Sequence, residues 1–123
     1  MTLFCSALAA FLPPLCGAAL AHEPGKDAPA KTVARMVHYT GEVQGVGFRA
    51  AAETIARDYP VTGWVKNLAD GRVQLLVEGP EDAVRKFLQA VHKRWEKNIT
   101  KEEVEELKPT GKYRDFSIKP SGG

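Results

Sequence analysis

The sequence predicts an α+β fold: a two-layer α/β sandwich of the split βαβ, or ferredoxin-like, type (βαββαβ), with an antiparallel sheet and two helices on one of its faces. Three observations carry this expectation. Several short segments are β-rich, the first of them alternating its two faces; two longer segments each repeat apolar residues on a single helical stripe; and these segments follow one another in the order βαββαβ. The composition, 44% apolar and 26% charged over 123 residues, is that of one ordinary globular domain with room for a tail.

Arg35 to Val43 reads as the first strand, with Val37, Tyr39, Gly41 and Val43 on one face and Met36, His38, Thr40 and Glu42 on a wetter one. The glycine loop Gln44 to Gly47 follows, and then a helix from Phe48 to Tyr59. Its stripe is Phe48, Ala52, Ile55, Ala56 and Tyr59, and Pro60 ends it. VTGWVK (61–66) and VQLLVE (73–78) are both β-rich, and the Asp70-Gly71 pair between them predicts a hairpin. Pro80 suits the first position of a second helix, Glu81 and Asp82 complement the dipole at its start, and Lys93, Arg94 and Lys97 do so at its end. The stripe there is Val84, Phe87, Leu88, Val91 and Trp95. The acidic segment Ile99 to Leu107 is expected to be an edge strand, and Asp115 to Lys119 a short final one, a β extension of the basic pattern.

The first 21 residues contain no charged side chain and resemble a secretory signal peptide: an apolar stretch from Leu3 to Leu12, Pro13-Pro14, and Ala19-Leu20-Ala21 as the cleavage site. The two prolines and the modest length fit a retained membrane anchor less well, and Pro13 and Pro14 fit a lipoprotein signal at Leu15-Cys16 poorly. Residues 22–32 read as a flexible linker, and 33–120 as the globular domain. Cleavage predicts a secreted or periplasmic protein with no membrane partner; a misassigned start would predict a cytoplasmic one. Cys5 and Cys16 both lie in the leader, so a cleaved chain has no thiol for a disulfide or a zinc site. A net charge of +2 gives no argument for nucleic acid. A monomer is expected. His38 and His92 read as surface histidines, His22 is a weak signal for metal, and Trp64 and Trp95 read as packing residues. Asn98-Ile99-Thr100 is a glycosylation acceptor only in a eukaryotic secretory pathway.

Chemistry is concentrated in GEVQGVGFR, residues 41–49. A helix N-terminus is electropositive, so Arg49 at that place is disfavoured by about 0.3–1 kcal/mol unless an anion sits between the two. Glycines at 45 and 47 let successive backbone N–H groups turn to one point, the helix start adds donors, and a guanidinium can grip two phosphoryl oxygens at once. A simple tight turn with a solvated arginine is the competing reading of this loop. Asn67, at the end of the strand VTGWVKN, is either an ordinary turn residue or an amide able to hold a water.

GEVQGVGFR followed by GWVKNLADGRV and VEGPEDAV resembles the acylphosphatase family, whose signature is a G-x-V-Q-G-V-x-F-R loop with a later G-W-V-x-N segment. The resemblance spans Met36 to Ile118. It implies hydrolysis of a carboxylic-phosphoric anhydride, a small-molecule acyl phosphate, without metal or cofactor. The family's phosphoryl-binding arginine matches Arg49, its water-positioning asparagine matches Asn67, and its phosphate cradle matches Gln44, Gly45, Val46, Gly47 and Phe48. The physical reading agrees: a carboxylate leaves without a general acid, and a dispersed phosphoryl transition state needs charge and alignment. Two other expectations stay open. One is a non-catalytic anion-binding module of the cell envelope. The other is an acylphosphatase-like domain of the kind that handles carbamoyl phosphate at the front of hydrogenase-maturation enzymes, an expectation that a sequence ending at Gly123 without the further domains disfavours.

Overall fold

Alternation of side chains makes Thr32–Gly41 the first strand, β1, in the computed structural model, which describes residues 31–122. The expected leader and most of the expected linker lie outside the described residues. Val33, Val37 and Tyr39 turn to the helical side and are buried, while Met36 and His38 turn the other way and are half-buried. The strand starts three residues before the expected Arg35, because Thr32, Val33 and Ala34 find ladder partners in Pro80, Gly79 and Glu78.

After the glycine loop comes α1, Phe48–Ala56, with Phe48, Ala52 and Ala56 buried. It stops short of Tyr59. The N–H groups of Arg57, Asp58 and Tyr59 bond to the carbonyls of Thr54, Ile55 and Ala56, three residues back, which is the tighter pattern of a closing turn. The hairpin forms as expected from β2, Thr62–Asn67, and β3, Val73–Pro80. At its tip the Asp70 carboxylate accepts bonds from the backbone N–H and the Nε of Arg72, at 3.0 and 2.9 Å. Next is α2, Glu81–Trp95, burying Ala83, Val84, Phe87, Val91 and Trp95. Pro80 caps this helix from an extended conformation, ψ 140°, and is not its first helical residue. The chain ends with β4, Ile99–Leu107, and β5, Phe116–Ile118.

The sheet order is β4-β1-β3-β2-β5. Strand β3 lies antiparallel between β1 and β2, and β1 lies antiparallel between β3 and β4, so two split βαβ units interlock. Phe48, Ala52, Phe87 and Val91 share one core with Val37, Tyr39, Val65, Val73, Leu75 and Val77, which places both helices on one face. The expected antiparallel sheet needs one correction: β5 is parallel to β2, with Gly63, Trp64 and Val65 opposite Phe116, Ser117 and Ile118. A strand that turns back after β4 travels in the direction of β1 and β2. Placed beside β2, it is therefore parallel.

To reach that edge, residues 108–115 pass over the face opposite the helices. Trp64 donates its indole N–H to Tyr113 there, at 3.3 Å. Glu78 alternates with the core residue Val77 and so faces this side, yet it is only 3% exposed. Its carboxylate accepts bonds from the Thr110 N–H and hydroxyl and from the Gly111 N–H, each at 3.0 Å. Burial alone would raise the Glu78 carboxyl; the Thr110 and Gly111 donors, with the charge of Lys112, outweigh it and hold the group below its ordinary range.

A folded value below the unfolded one means that the carboxylate's contribution is complete above about pH 5 and is lost as pH falls through the folded value. Glu78→Ala is expected to lower unfolding free energy by about 1–3 kcal/mol at neutral pH. Urea unfolding as a function of pH should also show a shallower acid limb for the variant. An acid limb identical to that of the unsubstituted protein would remove Glu78 as the anchor of the crossover.

Candidate active site

The loop between β1 and α1 turns at Gly45 (φ 76°) and Gly47 (φ 95°), both in the left-handed region that side chains disfavour. A Cβ would meet nothing within 4 Å at either position, so conformation and not space calls for glycine. Gly47 is also the N-cap of α1. It offers no side-chain cap, and the first turn holds no acidic residue. The N–H groups of Phe48, Arg49 and Ala50 precede the first intrahelical bond, which runs from Ala51 to the carbonyl of Gly47 at 3.0 Å.

Phe48 anchors this end. Its ring is 1% exposed and packs between Tyr39 and Trp95, with centroids 4.9 and 5.3 Å away. Burial pushes the Tyr39 hydroxyl upward, Glu102 adding to the effect, so the phenol stays neutral. One residue on, Arg49 is half-buried and, among the described residues, has no ion-pair partner.

A cavity of about 210 Å³ opens at this helix start, lined by Val43, Gly45, Gly47, Phe48, Arg49, Ala50, Asn67 and Ile118. Arg49 and Asn67, which the sequence places in separate motifs, thus line one cavity. Asn67 ends β2 with its side chain on the helical side, as alternation from the buried Val65 requires. Its backbone carbonyl accepts the Gly122 N–H at 3.0 Å. Its Oδ1 is buried and has no hydrogen-bond partner among the described residues. A buried carbonyl oxygen without a partner is costly, and Asn67 carries one at the lining of this cavity.

Two members of the expected cradle stand apart from this lining. Val46 is 42% exposed at the loop tip. The Gln44 carboxamide turns to the hairpin, donating to the carbonyls of Leu68 and Arg72, both at 2.8 Å. Ile118 of β5 and the Gly122 contact went unforeseen, since nothing local in the sequence ties the last strand to Asn67. His38 meets Gln74 and His92 meets Glu102, both outside the cavity. Among the described residues no group of three or more His, Cys, Asp and Glu is placed to hold a metal ion.

The sequence and the fold of this domain have known counterparts. The family model Acylphosphatase matches residues 35–118, and the chain belongs to that family. An acylphosphatase of Bacillus velezensis is 47% identical over 79 residues, covering 63% of this chain and 88% of the relative. One from Roseiflexus is 43% identical over 94 residues, covering 67% and 89%. The crystal structure of acylphosphatase from Bacillus subtilis superposes with a TM-score of 0.63 at 36% identity, over 70% of this chain and 97% of that one. Full-length HypF in its phosphate- and nucleotide-bound form gives 0.64 at 30% identity, over 78% of this chain but 13% of that one.

Because only backbone conformation constrains Gly47, Gly47→Ala is expected to cost about 1–2 kcal/mol and Gly47→Asn less, asparagine being tolerant of the left-handed region. Urea unfolding of the two variants checks this. An asparagine variant no more stable than the alanine variant would contradict it.

Proposed function

We propose that this chain hydrolyses acyl phosphates, R–CO–O–PO₃²⁻, with Arg49 holding the phosphoryl group and Asn67 aligning the attacking water. The observation that carries the proposal is the shared cavity: Arg49, the loop glycines and Asn67 all line it, and the Asn67 Oδ1 has no hydrogen-bond partner among the described residues. The phosphoryl oxygens lie against the Arg49 guanidinium and the free N–H groups at the start of α1, where helix dipole and side chain both attract negative charge. The Asn67 Oδ1 accepts a hydrogen bond from a water, which directs the water's lone pair at phosphorus.

In-line attack forms one P–O bond and breaks the bond between phosphorus and the bridging oxygen. The carboxylate leaves with the electron pair of the broken bond, and the water's protons end on phosphate or in solvent: R–CO–O–PO₃²⁻ + H₂O → R–COO⁻ + H₂PO₄⁻. Among the described residues, the cavity lining contains no His, Asp or Glu to serve as base. Such a site contributes charge stabilisation and alignment, which is most of what phosphoryl transfer to water requires. The unit acts in this reading as a monomer on a small molecule, without nucleic acid or membrane, and outside the cytoplasm once residues 1–21 are removed.

Benzoyl phosphate hydrolysis tests the chemistry. Arg49→Ala should lower kcat/KM by about 10²–10³-fold or more and weaken inhibition by inorganic phosphate. Asn67→Ala should lower kcat by about 10²-fold while leaving phosphate inhibition nearly unchanged. An unsubstituted protein that binds phosphate but hydrolyses nothing would instead be a non-catalytic anion-binding module. For the location, N-terminal sequencing of the native protein is expected to begin at His22; an intact Met1 would contradict export by cleavage.

A further inference from the structure

The helix start that bears Arg49 and the strand end that bears Asn67 belong to different structural units, and one side chain links the loop before the first to the hairpin after the second. Gln44 opens the loop that leads into α1, whose second residue is Arg49. Both of its Nε2 hydrogens are committed, one to the Leu68 carbonyl and one to the Arg72 carbonyl, each at 2.8 Å. Because both partners are carbonyls, the orientation of the carboxamide is unambiguous: only the nitrogen can face them. The two carbonyls form the neck of the β2–β3 hairpin, which is closed by the Leu68 N–H donating to the Arg72 carbonyl at 2.8 Å. Leu68 is the residue directly after Asn67.

We infer that Gln44 is a positioning residue for hydrolysis, fixing the distance and angle between the phosphoryl-holding Arg49 and the water-holding Asn67. This rests on the roles given to those two residues above. A turn needs only its own bonds to close, and this hairpin has them in the Leu68–Arg72 pair and the Asp70–Arg72 contacts. The bonds from Gln44 add a rigid link between loop and hairpin. In-line attack is sensitive to that link, since displacement of a reacting group by about 1 Å costs on the order of 10²-fold in rate. Ground-state binding of phosphate, held by Arg49 and the loop N–H groups alone, is not sensitive to it.

The test is a double-mutant cycle with benzoyl phosphate, using Gln44→Met, which keeps the length of the side chain without its donors, and Gln44→Ala as a second variant. Each Gln44 variant should lower kcat by about 10- to 100-fold and change the inhibition constant of inorganic phosphate by less than about 3-fold. In an Asn67→Ala background the same substitutions should cost less than about 2-fold, because there is no longer an aligned water to misplace. Equal losses in both backgrounds, or a parallel loss of phosphate affinity, would show Gln44 to be a general support of the loop and overturn the inference alone. No hydrolysis by the unsubstituted protein would overturn it together with the reading it rests on.

Discussion

Phe48 is buried between Tyr39 and Trp95, and Arg49 follows it by one residue. Successive helix residues diverge by about 100°, so seating the phenyl ring in the core turns the guanidinium out of it. The ring therefore sets where α1 starts, which way its free N–H groups face, and on which side of the sheet the arginine emerges. Full burial of such a ring is worth about 1.5–3 kcal/mol, several times the electrostatic penalty of a cation at a helix start. Packing can thus hold Arg49 where the dipole disfavours it.

The chain treats its two helix starts in opposite ways. α2 opens with Glu81 and Asp82 and satisfies its own dipole, whereas α1 opens with no acidic residue and an arginine. The first is arranged for stability. The second leaves positive potential unspent beside a cavity, which is what the proposed phosphoryl site requires. Asn67 completes the arrangement from the opposite element, brought there by β2 and braced by the hairpin neck and by Gly122.

Much of this was legible in the sequence, because the fold is consistent at each level. The stripes of Phe48, Ala52 and Ala56 and of Val84, Phe87, Val91 and Trp95 fall on the core as their spacing demands. Asp70-Gly71 makes the hairpin tip it announces. The direction of β5 was not legible, since three residues, Phe116 to Ile118, carry no sign of which strand they join. Neither was Glu78: a carboxylate in a β-rich run reads as solvated, and only the crossover segment, folded over it, supplies the donors that bury it. The motifs single out Arg49 and Asn67, and the fold brings both to one cavity. The Gln44 carboxamide could not be distinguished from the rest of the cradle, because its partners lie across a loop, a helix and a strand.

In the proposed reaction water attacks phosphorus, at a phosphoryl group held by Arg49, and not the carbonyl carbon. Hydrolysis of benzoyl phosphate by the purified protein in oxygen-18 water, with mass analysis of both products, tests it directly. Attack at phosphorus places the label in inorganic phosphate and leaves benzoate unlabelled. Label recovered in benzoate would mean that the C–O bond breaks, and that the site does not work as its geometry indicates.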